Sequence, residues 1–355
     1  MDLEEKLRRI RERVAGADER LYEALEARAG AVRELVQLQQ AYPDAYLGLQ
    51  GDAELLRHAK ESLSLFPAEW VEPLMRELLG ACASLRGPTL VAFAGSDGGF
   101  AHQAARRHFG AGATLGAFET AREVFEEVER GRVSFGILPL ESSSDGAVSA
   151  TLLGLVESEA KICGEITLSA TYDLFSRSGK AREVEKIYGV GMALGACERH
   201  LRAHFPRATL VDVPSGRIAA QLAVAESSAA ALGPPFLSEL DEVLRVEEHL
   251  EDSPDVRTRY AIVGGELASR TGLDRTILAL SVQDEPGALY RALAPLAERR
   301  IDLTRVESRP APGGNGHLFF VELTGHITDR QILTAVDELR SLTRELKVLG
   351  SYPQP

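Results

Sequence analysis

The sequence predicts three structural units in one chain: an all-α N-terminal segment, a two-lobed α/β middle, and an α+β C-terminal domain of ferredoxin-like order. Three observations carry this reading. Apolar residues recur at spacings near three and four through residues 1–41. Short apolar runs alternate with helical patterns from Leu90 to Gly265. From Thr276 onward the order is strand, helix, strand, strand, helix, strand. The expected boundaries are 1–87, 88–268 and 275–355.

In the first unit, Leu3, Leu7, Ile10, Val14, Ala17, Leu21, Ala24, Ala31, Leu35 and Leu38 form one stripe, with glutamates and arginines on the other faces. A helix of that extent is about 60 Å long at roughly 1.5 Å per residue. A domain of this size cannot cover it, so helices of a second copy are expected to, giving a helical dimer. Tyr42-Pro43-Asp44 breaks the pattern. A second helix is expected over Asp52–Leu65 and a third over Pro67–Leu85, with Pro73 inside it, before a Gly87-Pro88 linker.

The middle unit opens with the strand Leu90–Ala94, the turn Gly95-Ser96-Asp97-Gly98-Gly99 and a helix over Phe100–Phe109. A second run, Val133–Leu138, leads into Pro139-Leu140-Glu141-Ser142-Ser143-Ser144-Asp145-Gly146 and a helical pattern over Ala147–Val156. Strands ending in polar, glycine-bearing turns are where open α/β sheets place ligands. The free N–H groups of a first helical turn suit an anion. The turn Gly95–Gly99 has neither the spacing of a dinucleotide fingerprint nor that of a Walker loop. Further strands are expected at Thr114–Phe118, Lys161–Ser169, Lys186–Val190, Thr209–Val213, Ala229–Gly233 and Tyr260–Val263, in a mostly parallel sheet.

In the C-terminal unit the strands are Thr276–Val282, Leu303–Ser308, His317–Leu323 and Lys347–Leu349. The helices are Pro286–Arg300 and Thr328–Leu342, the second with Thr328 as N-cap.

A formal charge of −13 over 355 residues argues against nucleic-acid or anionic-membrane partners. No apolar run is long enough to span a bilayer, and the charged N-terminus does not read as a signal peptide. Cys82, Cys163 and Cys197 are widely separated and form neither a disulfide framework nor a metal-ligand spacing, which points to a reducing cytoplasm.

Four pieces together carry a family resemblance: Val91-Ala92-Phe93 before the glycine turn, Pro139-Leu140-Glu141-Ser142-Ser143 before Gly146, Thr258-Arg259-Tyr260, and Glu307-Ser308-Arg309-Pro310. Over nearly its whole length the chain resembles bifunctional chorismate mutase–prephenate dehydratases. The resemblance implies a mutase-like helical segment, a dehydratase domain of two lobes like a periplasmic binding protein, and a C-terminal ACT regulatory domain. It implies conversion of prephenate to phenylpyruvate, water and carbon dioxide, with chorismate mutase activity attached, in phenylalanine biosynthesis under feedback by phenylalanine. No metal or cofactor is implied.

The resemblance also implies roles. Thr258 corresponds to the residue that helps the ring hydroxyl leave, Arg259 to a carboxylate partner, and Ser142 to a polar contact. Gly95, Gly98, Glu141, Ser143 and Gly146 would line the prephenate site. Arg11 and Arg28 would hold the carboxylates of chorismate, with Gln39 where the family has a lysine. Gly287-Ala288-Leu289 and Glu307-Ser308-Arg309-Pro310 would bind phenylalanine at an interface of a homodimer or tetramer. Gly99, Ala101, Met192 and Ala196 stand where the family carries polar side chains. Those departures motivate a second expectation, a catalytically impaired paralogue that binds phenylalanine as a regulatory or partner protein.

Overall fold

The computed structural model describes residues 3–42, 52–311 and 316–354. Three helices come first: α1 (Leu3–Ala41), α2 (Asp52–Ser62) and α3 (Ala68–Ser84). α1 is a single helix of 39 residues, and its apolar stripe is largely uncovered. Leu3, Leu7, Ile10, Val14, Leu21 and Leu38 face solvent, while Val32 is buried. α2 and α3 pair through Lys60 and Glu72 at 2.8 Å. α3 carries Pro73 inside it and docks on the middle unit. There the Glu77 carboxylate accepts the Ala111 N–H at 2.9 Å. A Cβ on Gly80 would lie 2.5 Å from the Phe109 carbonyl oxygen, so only glycine allows this approach. Burial and the neighbouring Arg76 charge push the His108 imidazole down to about 3, leaving it neutral.

The first lobe is built from β1 (Leu90–Ala94), α4 (Phe100–Phe109), β2 (Thr114–Phe118), α5 (Ala121–Glu129), β3 (Phe135–Ser142), β4 (Gly146–Ala147), α6 (Ser149–Glu157) and β5 (Lys161–Ser169). α5 starts where Thr120 and Glu123 form a capping box, each side chain accepting the other's backbone N–H. The chain then crosses to a second lobe. It contains β6 (Asp173–Ser176), β7 (Lys186–Gly189), α7 (Gly191–Ala196), α8 (Glu198–His204), β8 (Thr209–Asp212), α9 (Gly216–Ala225), β9 (Ala229–Gly233), α10 (Leu237–Leu240) and β10 (Leu244–Glu247). It returns to the first lobe as β11 (Arg257–Gly264).

The expected mostly parallel sheet is in fact two mixed sheets. The first lobe runs β5-β11-β3-β1-β2 and the second β10-β6-β9-β7-β8. β11 is antiparallel to both β3 and β5, and β6 is antiparallel to both β9 and β10. The antiparallel strands are largely those that carry the chain out of one lobe and back. The short β6 and β10 escaped the sequence reading. Residues 143–145 also turn the chain into the β3–β4 hairpin rather than straight into a helix, with Ser142 opposite Gly146.

The C-terminal domain comprises β12 (Asp274–Ser281), α11 (Ala288–Glu298), β13 (Leu303–Pro310), β14 (His317–Thr324), α12 (Arg330–Leu342) and β15 (Glu345–Pro353). Its order, β13-β14-β12-β15, is ferredoxin-like. Thr328 does not cap α12. Its hydroxyl is 2.7 Å from His326 Nδ1, and Asp329 occupies the cap position. β15 runs longer than expected and lies beside β5, Gly350 against Ile162, so the two sheets join. A Cβ at Gly350 would fall 2.5 Å from the Ile162 carbonyl oxygen, and the missing side chain lets the strands meet.

Candidate functional site

The parallel strands β1 and β3 end at the sheet edge where antiparallel β11 begins, so their terminal residues gather there. Thr258 lies directly opposite Ser142, and Arg259 opposite Glu141. Side chains alternate along a strand, so these two pairs serve opposite faces. The Thr258 face continues through Tyr260 and Ile262 into the cluster of Phe93, Ala101 and Leu168. The Arg259 face continues through Ala261 and Val263 toward Leu140, Leu152 and Ile277.

On the first face, Thr258 is hydrogen-bonded to Tyr260, which in turn has Tyr172 nearby. Burial and the nearby Tyr172 push the Tyr260 hydroxyl well above its ordinary value, a hydrogen bond with Thr258 pulling the other way. Tyr172, on the crossing between lobes, is pushed up to about 12, chiefly by burial. Both phenols therefore stay protonated at neutral pH and can donate. Tyr172 also meets Phe100 edge-on at 5.1 Å between centroids, which ties the lobes together beside this hydroxyl group. The Ser142 hydroxyl is 2.8 Å from that of Ser144, and Ser143 Oγ accepts the Arg257 N–H at 3.0 Å.

The glycine turn touches the second lobe. Gly95 and Gly98 have φ of 139° and 79°, both in the region that favours glycine. A Cβ on Gly98 would lie 2.7 Å from the Arg217 backbone nitrogen. The Arg217 N–H donates to the Asp97 carbonyl at 3.2 Å, and its guanidinium reaches the Asp97 carboxylate at 3.3 Å. The first turns of α4 and α9 thus meet across the seam, with Asp97 holding the start of α9. Asp97 and His102 were not singled out in the sequence. His102 Nδ1 lies 2.7 Å from Asp97 Oδ1 and 3.1 Å from the Gly98 nitrogen. Nδ1 cannot both donate to the carboxylate and accept the Gly98 N–H, and the charged carboxylate is the stronger partner for a proton there. The ring stacks on Phe93 at 4.9 Å and meets Phe236 edge-on at 4.8 Å. Burial lowers its pKa despite Asp97, so it is held neutral.

Arg259 faces elsewhere. Its guanidinium forms a two-pronged pair with Glu322 on β14, at 3.1 and 2.8 Å. It also lies 3.2 Å from Glu141 and 3.5 Å from Glu165. Arg275 pairs with Glu165 at 2.6 Å and Glu322 at 3.0 Å, the Tyr352 hydroxyl donates to Glu165 at 3.0 Å, and Arg305 pairs with Glu141. Glu165 and Glu322 are almost wholly buried. Burial alone would raise the Glu322 pKa, but the Arg259 and Arg275 partners outweigh it and lower the value. The Arg259 pKa rises although burial opposes its charge, because Glu322 and Glu165 hold it ionised. A cavity of about 20 Å³ beside them, lined in part by Leu140, Arg305 and Phe320, holds a water at most. Arg259 and Glu141, expected at the substrate, thus join the C-terminal domain to the first lobe.

Residues 91–267 match the prephenate dehydratase family and residues 276–341 the ACT domain. The bifunctional chorismate mutase/prephenate dehydratase of Stutzerimonas stutzeri is 33% identical over 359 residues, spanning 99% of this chain and 98% of that protein. That of Aquifex aeolicus is 34% identical over 358 residues, with the same coverage. The chain belongs to the bifunctional chorismate mutase/prephenate dehydratase family. Among solved structures, the prephenate dehydratase of Arthrobacter aurescens in complex with L-Phe is 30% identical, with a TM-score of 0.65, covering 75% of this chain and 90% of that one.

In the ACT domain the two segments expected to bind phenylalanine share one end of the sheet. Ser308 pairs with Phe319, and Phe319 with Leu280, so β13 and the end of β12 flank β14 there. The chain leaving β12 reaches Gly287, whose φ of 77° starts α11 ahead of Ala288 and Leu289. Arg309 pairs with Glu307 at 2.6 Å and also reaches into the dehydratase domain, donating to Ser149 Oγ at 3.1 Å and the Ala147 carbonyl at 3.2 Å. Pro310 ends β13 opposite His317.

In the mutase-like segment Arg11 is exposed, and Arg28 is part-buried with its Nη1 lacking a partner. They stand roughly 25 Å apart along α1, at about 1.5 Å per residue. The Gln39 side chain lies outside the described residues. Of groups able to take a metal, His200, His204 and Glu247 converge on the second lobe.

Proposed function

We propose that the dehydratase domain removes water and carbon dioxide from prephenate at the seam between its lobes. Thr258 and Ser142, side by side at the strand edge beside two protonated tyrosines, carry this reading. In the reaction the ring C–O bond breaks as the carboxylate leaves, its bonding electrons completing the aromatic ring. The departing hydroxyl needs a proton donor or a strong hydrogen bond, and Thr258 supplies it. The first turn of α4 receives the substrate's negative charge. Arg259 acts as a positioning residue, fixing the start of β11 through Glu141 and Glu322. With aromatisation driving the chemistry, placement and selective donation supply the acceleration.

Thr258→Ala is expected to lower phenylpyruvate formation from prephenate by at least about 10²-fold, with the melting temperature unchanged. Wild-type turnover by that variant would remove Thr258 from the mechanism. The bare Gly99 and Ala101 positions favour one other reading, a phenylalanine-binding paralogue. Tight phenylalanine binding with no prephenate turnover by the native chain would select it.

The helical segment acts as a chorismate mutase in a dimer. Arg11 and Arg28 of one chain are too far apart for one small substrate, whereas a second α1 lying antiparallel brings one arginine from each chain together. It would also cover the bare stripe of α1. Sedimentation of residues 1–355 should give at least a dimer, and replacing Leu7, Ile10 and Val14 by glutamate should return monomers. A wild-type monomer would exclude the shared site. Phenylalanine binds at the ACT segments and regulates the dehydratase, and the protein works in the cytoplasm with soluble substrates.

A further inference from the structure

We propose a divalent transition-metal site on the second lobe, formed by His200, His204 and Glu247. The two histidines stand four apart on α8, so their rings share one helix face and stack at 4.1 Å between centroids. Glu247 comes from β10, and its carboxylate lies 2.7 Å from His200 Nε2. One donor atom from each of the three residues falls within a 4.8 Å span.

Three features prepare the group for a metal rather than a simple hydrogen bond. His204 Nδ1 lies 3.2 Å from the His200 carbonyl oxygen. That contact fixes Nδ1 as the protonated nitrogen and leaves Nε2 as a free lone pair, the usual outer support of a metal-binding histidine. The Asp252 carboxylate accepts the backbone N–H groups of Arg199 and His200 at 2.8 and 3.0 Å, which anchors the helix beneath the rings. β10 carries a register shift between Arg245 and Glu247, and such bulges re-aim the side chain that follows. Nearby arginines are engaged elsewhere: Arg199 with Asp252, Arg202 with Glu198, Arg245 with Asp173 and Glu248. Among the described residues Glu247 has no lysine or arginine partner.

Two imidazoles and one carboxylate suit Zn²⁺, with Co²⁺ and Ni²⁺ as substitutes. At metal–ligand distances of about 2.0–2.2 Å, tetrahedral donors stand roughly 3.3 Å apart. The His200–Glu247 contact therefore opens slightly on binding and the ion takes its place. His204 is exposed, so a fourth position faces water. The ion clamps α8 to β10, the strand that leads back to β11.

The test uses tag-free, chelator-treated full-length protein titrated with Co²⁺ and then Zn²⁺. One equivalent of Co²⁺ should bind with a visible absorption band, Zn²⁺ should displace it, and Zn²⁺ should raise the melting temperature. His204→Ala removes an exposed ligand, and Glu247→Gln keeps a hydrogen-bonding group beside His200. Each should weaken binding by at least the roughly 10–100-fold that losing an outer-shell partner costs. Both should keep the melting temperature of the metal-free protein, and His58→Ala should bind normally. No saturable Co²⁺ or Zn²⁺ binding, or equal binding by both ligand variants and wild type, would overturn the site.

Discussion

The two faces of β11 make an instructive pair. Thr258 faces Ser142 and the tyrosines between the lobes, and Arg259, its neighbour in sequence, faces Glu322 of the ACT domain. One face is neutral, hydroxyl-rich and bounded by aromatic rings. The other is a buried lattice of charges in which three arginines meet three glutamates. A two-residue motif that reads as one site is therefore split by the period of the strand. The backbone of β11 is shared by both faces and so links the ACT domain to the strand that presents Thr258. A shift of the ACT sheet that moved Glu322 would pull on Arg259, and through it on the strand that presents Thr258.

The sharpest way to break this contrast is Glu322→Ala. It strips Arg259 and Arg275 of a buried partner, and losing one side of such a pair typically costs about 3–5 kcal/mol. Urea unfolding followed in the ACT domain should register that loss. Thr258→Ala should leave the same transition unmoved while removing turnover. A stable Glu322→Ala protein would mean that the lattice contributes little to docking. A milder version of the same break comes from acid. The folded Glu322 carboxyl titrates below its ordinary value because the arginines outweigh burial. Its contribution is complete above the unfolded value of about 4.3 and is lost as pH falls through the lower folded value. Acid unfolding should therefore begin with release of the ACT domain below about pH 4, and Glu322→Gln should flatten that pH dependence. An identical acid profile in the variant would assign the transition to other carboxylates.

The two faces also differ in how far they could be read beforehand. Periodicity gave α1, alternation gave most strands of both lobes, and the order of elements gave the ACT domain. Thr258 and Ser142 were named through the family resemblance, and they share one edge because β3 and β11 are neighbours in the sheet. The opposite face left no local trace. Glu165, Arg275, Arg305 and Glu322 sit in four separate strands and meet only because β15 joins β5. That junction rests on Gly350, a residue that sequence reading leaves just outside the last strand. β6 and β10 were missed because four residues each, with polar members such as Asp173 and Arg245, give too short a pattern. His200 and His204 have ligand spacing, but their partner Glu247 comes from one of those missed strands.

The smallest expected effect sharpens the division most. Arg309 belongs to a segment proposed to bind phenylalanine and also touches the dehydratase domain at Ala147 and Ser149. It is partly exposed, so Arg309→Ala should change stability by only about 0.5–1 kcal/mol. It contacts neither Thr258 nor its tyrosine neighbours, so turnover without phenylalanine should stay within about twofold, a barrier change under roughly 0.5 kcal/mol. Yet it fixes Glu307 and pins β13 to the start of α6, both on the ACT face of the first lobe. Half-inhibition by phenylalanine should then require a severalfold higher concentration. If inhibition stays unchanged while basal turnover falls, the ACT contact serves catalysis directly, and the separation of roles across β11 does not hold.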